Sequence, residues 1–224
     1  GTVQAWGHRE FGGEGVPAGL GNVAAIFSTA SAFAALREDG SVVAWGSSAF
    51  GGTGVPAGLS HVTTIYSTGS AFLAHREDGR LVAWGAVDGG TVPAELDVVT
   101  SISATSLAFA AVTEQGTVVA WGNSRYGGSM TDVTLEGVLY TGVPAGLRGV
   151  LAIYSNQQAF AALRDDGTVH AWGDSRCGGV GVPATLRNVK SIFSTAYSFA
   201  ALTNEGTVAA WGAAYTGGSM SNGE

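Results

Sequence analysis

Three pairs of adjacent carboxylates, Glu38-Asp39, Glu77-Asp78 and Asp165-Asp166, are the first candidates for chemistry. Two suitably placed carboxyl groups are enough for glycoside hydrolysis. Each pair, however, falls at the same point of a recurring pattern, which is the signature of turn chemistry and solvation. The four histidines fare similarly. His75 shares a column with Leu36, Val112, Leu163 and Leu202. His170 shares one with Gln4, Val43, Val82, Val119 and Ala209, and His61 sits in a turn column with Asn22, Val98, Gly149 and Asn188. Only His8 lies in a variable segment. No two histidines have a metal-ligand spacing and Cys177 is the single cysteine, so neither zinc nor a disulfide framework is expected. Gly51-Gly52-Thr53-Gly54 invites comparison with a phosphate loop. It lacks a following helix N-terminus and the P-loop lysine. Ser28-Thr29, Ser67-Thr68 and Ser194-Thr195 recur without a companion base. Such hydroxyls are expected to bond nearby backbone. No cofactor and no catalytic residue is predicted, and an enzyme is not expected.

The pattern that absorbs these residues is a repeat. All six tryptophans precede glycine: Trp6, Trp45, Trp84, Trp121, Trp172 and Trp211, at spacings of 39, 39, 37, 51 and 39. The five prolines, Pro17, Pro56, Pro93, Pro144 and Pro183, each precede a tryptophan by 28 residues. All length variation therefore lies between Trp-Gly and the next Val-Pro. The fixed framework reads as strands at Val23 to Thr29, Phe33 to Glu38 and Ser41 to Trp45, rich in β-branched, aromatic and small apolar residues. Asp39-Gly40 predicts a two-residue hairpin with positive φ at both positions. A weaker extended segment follows each Val-Pro. Alternation puts Val42 and Ala44 on one face of the last strand and Trp45 on the other, so both faces are expected to be buried by neighbouring copies. Helix beyond a single turn is not expected.

Composition agrees. The 224-residue chain is 46% hydrophobic and 12% charged, with 36 glycines, which fits short strands joined by tight turns. A net charge of −7 and one lysine, Lys190, leave no basic face for nucleic acid. No apolar run is long enough for a membrane span. Low charge and one cysteine fit a cell-surface or secreted protein. The start at Gly1, without methionine or signal peptide, reads as a processed product or a piece of a longer chain.

The Asp-Gly hairpin, the Val-Val-Ala-Trp-Gly strand, Val-Pro-Ala, Val-x-x-Ile and Ala-Phe-Ala-Ala-Leu together resemble the regulator of chromosome condensation repeat. The Ala-Trp-Gly and Val-Pro-Ala variants look most similar to bacterial members, propeller-type beta-lactamase inhibitors among them. The resemblance implies an all-β propeller of four-stranded blades, usually seven. Here the family's Gly-Gln-Leu-Gly after Trp-Gly is a bare Gly-Gly. Its frequent histidine before the Ala-Leu strand is replaced by Ala32, Ala71, Ala108, Ala159 and Ser198. The nucleotide-exchange activity of the eukaryotic founder is therefore not carried over.

The expected organisation is one repeat domain over 1–224, with units near 1–40, 41–79, 80–116, 117–167 and 168–206 and a partial sixth at 207–224. Thr2–Trp6 and Thr207–Trp211 read as copies of one strand. Five complete units fall short of a seven-bladed ring, which implies an open arc or a fragment of a larger propeller. Exposed terminal edge strands would then allow self-association.

Function is expected in the loops after Trp-Gly, because loops on a rigid scaffold carry binding. Their arginines and aromatics match interface hot spots. The candidate partner-binding residues are His8, Arg9, Phe11, Phe50, Asp88, Arg125, Tyr126, Arg176 and Tyr215. Phe11, Phe50 and Tyr126 share a column before Gly-Gly, so a structural plug against the next blade is the alternative for them. A 12-residue excess in the fourth unit, near Ser129 to Tyr140, adds Met130, Leu135, Leu139 and Tyr140. It reads either as a partner-binding finger or as a short hairpin lying on the scaffold. The favoured function is a non-catalytic protein-binding module whose partner is a protein. The alternative is a structural array, filament or surface layer joined through edge strands.

Overall fold

The structure is a computed structural model and describes residues 1–86, 91–94 and 96–218. The chain divides into two compact units, Gly1–Ala94 and Glu95–Glu224. Each unit is all-β and built of antiparallel sheets. The first holds β1 (Val23–Ser28), β2 (Ala32–Arg37) and β3 (Val42–Gly46), followed by β4 (Val62–Ser67), β5 (Ala71–Arg76) and β6 (Leu81–Gly85). The second holds β7 (Val99–Ala104), β8 (Ala108–Thr113) and β9 (Val118–Gly122), then the inserted β10 (Val133–Leu135) and β11 (Val138–Thr141). It continues with β12 (Val150–Ser155), β13 (Ala159–Arg164), β14 (Val169–Asp174), β15 (Val189–Ser194), β16 (Ser198–Thr203) and β17 (Val208–Gly212).

Each repeat makes a three-stranded meander, not the four-stranded blade that the resemblance implied. The segment after Val-Pro fails to become a strand. Proline offers no N–H for a ladder, and the chain turns there instead, with Leu20 N–H donating to Pro17 O (3.2 Å) and Leu59 N–H to Pro56 O (3.1 Å). Thr2–Trp6 is not a strand either. The other tryptophans are sandwiched on a hairpin partner, whereas Trp6 has none among the described residues and is 86% exposed.

The Asp-Gly hairpin also differs from expectation. Gly40 has φ +76° but Asp39 does not have positive φ. Gly40 N–H donates to Arg37 O, and Arg37 N–H to Ser41 O (3.0 and 2.9 Å). This is a type I turn at Glu38-Asp39 closed by a glycine bulge, the three-residue alternative to the two-residue loop. Asp39 earns its place through its side chain. Oδ1 accepts from Ser41 N–H (2.9 Å) and Ser41 Oγ–H (2.6 Å), and Asp166 repeats this with Thr168 (3.0 and 2.6 Å). The carboxylate pairs are thus turn formers, as their recurrence suggested. These bonds hold both carboxyl groups below the ordinary value of 3.8, the Ser41 and Thr168 hydroxyls contributing most. Because the folded values are depressed, the stabilisation is complete above the ordinary value and is lost as pH falls through the lower folded value. Asp39→Asn and Asp166→Asn should therefore be less stable than the parent at neutral pH, with the gap closing in acid. Denaturant titrations at pH 7 and pH 2.5 check this, and an unchanged gap would contradict it.

Within each sheet one phenylalanine stacks on one tryptophan across the strands. Phe33–Trp45, Phe72–Trp84, Phe109–Trp121, Phe160–Trp172 and Phe199–Trp211 have centroids 5.2 to 5.7 Å apart. The loop after the preceding Trp-Gly folds over the pair. Trp84 Nε1–H donates to Gly51 O (3.0 Å) and Trp172 Nε1–H to Gly127 O (3.1 Å). This explains the bare Gly-Gly. A Cβ on Gly51 would lie 2.8 Å from the Phe72 ring, and one on Gly52 2.4 Å from the Gly46 backbone. The Gly-Gly step is a lid on the aromatic pair, not a phosphate cradle.

Consecutive sheets stack through their two faces. In the first unit Ala34, Leu36 and Val42 pack with Ile65, Phe72 and Trp84. In the second, Ala161, Leu163 and Val169 pack with Ile192, Phe199 and Trp211. The recurring hydroxyls tie the stack, as expected from their position. Ser67 Oγ–H donates to Ser28 O (2.7 Å), Ser194 Oγ–H to Ser155 O (2.8 Å) and Thr29 Oγ1–H to Phe50 O (3.0 Å).

Candidate functional site

Each sheet has two ends. The Asp-Gly turns close one, and the loops after Trp-Gly emerge from the other. Those loops are not free coils. Each begins with a residue in extended conformation, makes one turn of 3₁₀ helix, and stops at a glycine with φ between +78° and +93°. Three of the first residues cap the turn with a side chain. His8 Nδ1 accepts from Glu10 N–H (3.3 Å), Asn123 Oδ1 from Arg125 N–H (3.0 Å) and Asp174 Oδ1 from Arg176 N–H (2.8 Å). This is N-cap chemistry applied to a single turn. It makes His8 a capping residue, with its ring 5.4 Å from Phe11. A preset loop loses little entropy on binding, which favours its use as a contact surface.

In the first unit the loops Arg9–Phe11 and Ser48–Phe50 flank a groove of ≈ 600 Å³ lined by Arg9, Glu10, Phe11, Ser47, Ser48 and Phe50. Phe11 is 57% exposed, whereas Phe50 packs against the core. The structure therefore brings Arg9, Phe11 and Phe50 together. Asp88 lies outside the described residues.

In the second unit the inserted residues form a hairpin. Its turn, Glu136-Gly137, has positive φ at both residues (+53° and +77°), the two-residue geometry that the Asp-Gly turns do not adopt. β11 then joins the edge of β14 through Tyr140↔Asp174 and Thr141↔Gly173, making a five-stranded sheet in the order β10-β11-β14-β13-β12. The insertion lies along the sheet as a hairpin. Tyr140 is buried at this junction, Leu135 is half-buried, and Met130 and Leu139 are 48% and 40% exposed. Met130 and Thr141 also line a groove of ≈ 720 Å³ shared with His170 and Val180.

Arg125 reaches over this hairpin. Its guanidinium lies 6.0 Å from the Tyr140 ring centroid and donates to Glu136 Oε1 (3.2 Å). Arg176 is bidentate on Asp174, with Nη2–Oδ2 at 2.6 Å and Nε–Oδ1 at 3.0 Å. Asp174 is only 1% exposed, so this pair fixes the loop from below while the Arg176 side chain stays 61% exposed. Sequence reasoning selected Arg176 and passed over Asp174. The signal was the column His8, Asn123, Asp174, whose side chains all suit a cap. Tyr126 packs against the core, and Cys177, in the same column as Phe50 and Tyr126, is buried. Burial, reinforced by the Asp174 charge, pushes the Cys177 thiol up to about 11, so it stays protonated at neutral pH and is a poor nucleophile. Tyr215 is 80% exposed and 6.1 Å from the Tyr197 ring.

Among the described residues, no helix is long and apolar enough to cross a membrane. The family model for the Regulator of chromosome condensation (RCC1) repeat matches residues 99–127. No curated protein matches the chain. Among solved structures, Prp20p from Saccharomyces cerevisiae is similar at 18% identity and a TM-score of 0.57, covering 81% of this chain and 55% of its own. The ectodomain of the Physcomitrella patens receptor kinase CR4 is similar at 21% identity and 0.56, covering 92% and 54%. Yeast RCC1 (Prp20) bound to Kap60 gives 20% and 0.54, covering 81% and 54%. The chain thus spans about half the length of these structures and shares their propeller-type, all-β repeat fold.

Proposed function

We propose that this chain is a non-catalytic protein-interaction module of the RCC1-like repeat type, binding a protein partner through the loops after Trp-Gly. The carrying observation is the ≈ 600 Å³ groove where Arg9, Phe11 and Phe50 from two preset loops meet. An exposed arginine beside an exposed aromatic on a rigid base is hot-spot chemistry. The fold neighbours support the reading. The structure of Prp20p is described together with its binding to Gsp1p and histones, and yeast RCC1 is seen bound to Kap60. The Ala-Trp-Gly and Val-Pro-Ala signatures support the bacterial-type variant of the repeat. A net charge of −7 directs the search to proteins and away from nucleic acid.

The test places a photo-crosslinking phenylalanine analogue at Phe11, and in a second protein at Glu38 on the opposite end of the first sheet. Capture of a defined protein from Phe11 alone is expected. The affinity of that purified partner should fall at least about tenfold for Arg9→Ala/Phe11→Ala, which corresponds to about 1.4 kcal/mol. Equal capture from both ends, or unchanged affinity, would overturn the proposal.

A further inference from the structure

The two faces that stack sheet on sheet are different, and each is left open at one end of the array. One is the alanine face, carrying Val42 and Ala44 in the first sheet. The other is the tryptophan face, carrying the isoleucine column. Where both partners are present, the isoleucines are closed off: Ile65 is 2% exposed and Ile192 3%. On the first sheet, Ile26 of the same column is 46% exposed, and Val23 and Phe33 beside it are half-buried. The alanine face changes in the complementary way. Val169 is 8% exposed beneath the last sheet, while its counterpart Val208 on that last sheet is 48% exposed and Phe193 is 61% exposed.

We propose that the alanine face of the β15–β17 sheet docks on the tryptophan face of the β1–β3 sheet of a second copy of this chain, head to tail. The occupant follows from the packing already inside each unit. There, this face takes a partner bearing isoleucine, phenylalanine and tryptophan in fixed columns, and the β1–β3 sheet carries those same columns at Ile26, Phe33 and Trp45. The contact is face to face, distinct from strand addition at an edge. It is heterologous, so copies add one after another unless the rotation closes a ring.

The experiment is light scattering of the full chain across concentrations up to about 1 mM, with two variants. Ile26→Lys blocks only the tryptophan face, and Val208→Lys only the alanine face. Both sites are already half-exposed, and far-UV circular dichroism confirms folding; Phe193→Lys replaces Val208→Lys if that protein is not folded. The parent should grow beyond the 22.5 kDa chain mass. Each variant alone should stay monomeric, since it lacks one of the two faces. Their equimolar mixture should give one species of twice the chain mass and nothing larger. A parent that is monomeric throughout overturns the proposal. So does continued growth of either variant alone, or a mixture that stays monomeric.

Discussion

Trp172→Ala is expected to destabilise its unit by about 4 kcal/mol, while Trp6→Ala changes stability by less than about 0.5 kcal/mol. The two residues occupy the same position of the same repeat. Trp172 is fully buried, stacks on Phe160 at 5.2 Å and donates its indole N–H to Gly127 O. Removing it opens a cavity against Phe160 and orphans a carbonyl that the lid loop turns inward. Trp6 is 86% exposed, so its truncation removes almost no buried surface. Chemical denaturation of the two variants beside the parent measures the contrast. Similar losses for both would mean that Trp6 is covered in solution.

The second large effect concerns glycine. Gly52→Ala should cost about 3 kcal/mol or more, and Gly54→Ala only about 1 kcal/mol. Gly52 needs no unusual φ, but a Cβ there would sit 2.4 Å from Gly46 C and Gly46 O, and 2.8 Å from Ser47 O. These are backbone atoms held by the strand and cannot move aside. Gly54 is the reverse case. Its φ is +83°, yet nothing lies within 4 Å of an added Cβ, so alanine meets only the left-handed backbone penalty. The pair separates space from conformation within three residues of one loop. Equal effects would show that the lid does not close as tightly as described.

The tryptophan columns made the framework readable because the signal is local. Val-Val-Ala-Trp fixes a strand, its alternation fixes two faces, and recurrence at 39 residues requires copies that cover both. The failures came where sequence carries no exclusive signal. Asp-Gly fits both a two-residue loop and a type I turn with a glycine bulge. The choice rests on the φ of Asp39, and the bond from Ser41 to its carboxylate favours the bulged form. The segment after Val-Pro has apolar residues enough for a strand but begins with a residue that cannot join a ladder. At the candidate site, Phe11, Phe50 and Tyr126 are indistinguishable by column. Only packing separates the exposed Phe11 from Phe50 and Tyr126, which rest on the core. The insertion was legible as a hairpin from Val133, Leu135, Val138 and Tyr140. Its seat on β14 was not, because a pairing across more than thirty residues leaves no mark on either segment.

The central claim is that binding takes place at the loop end of the sheets. The most direct measurement is hydrogen exchange of the chain with and without its crosslinked partner protein. Slowed exchange is expected in 8–13 and 47–52, with the turns at 38–40 and 77–79 unchanged. Protection confined to those turns, with the loops exchanging as in the free chain, would contradict the account.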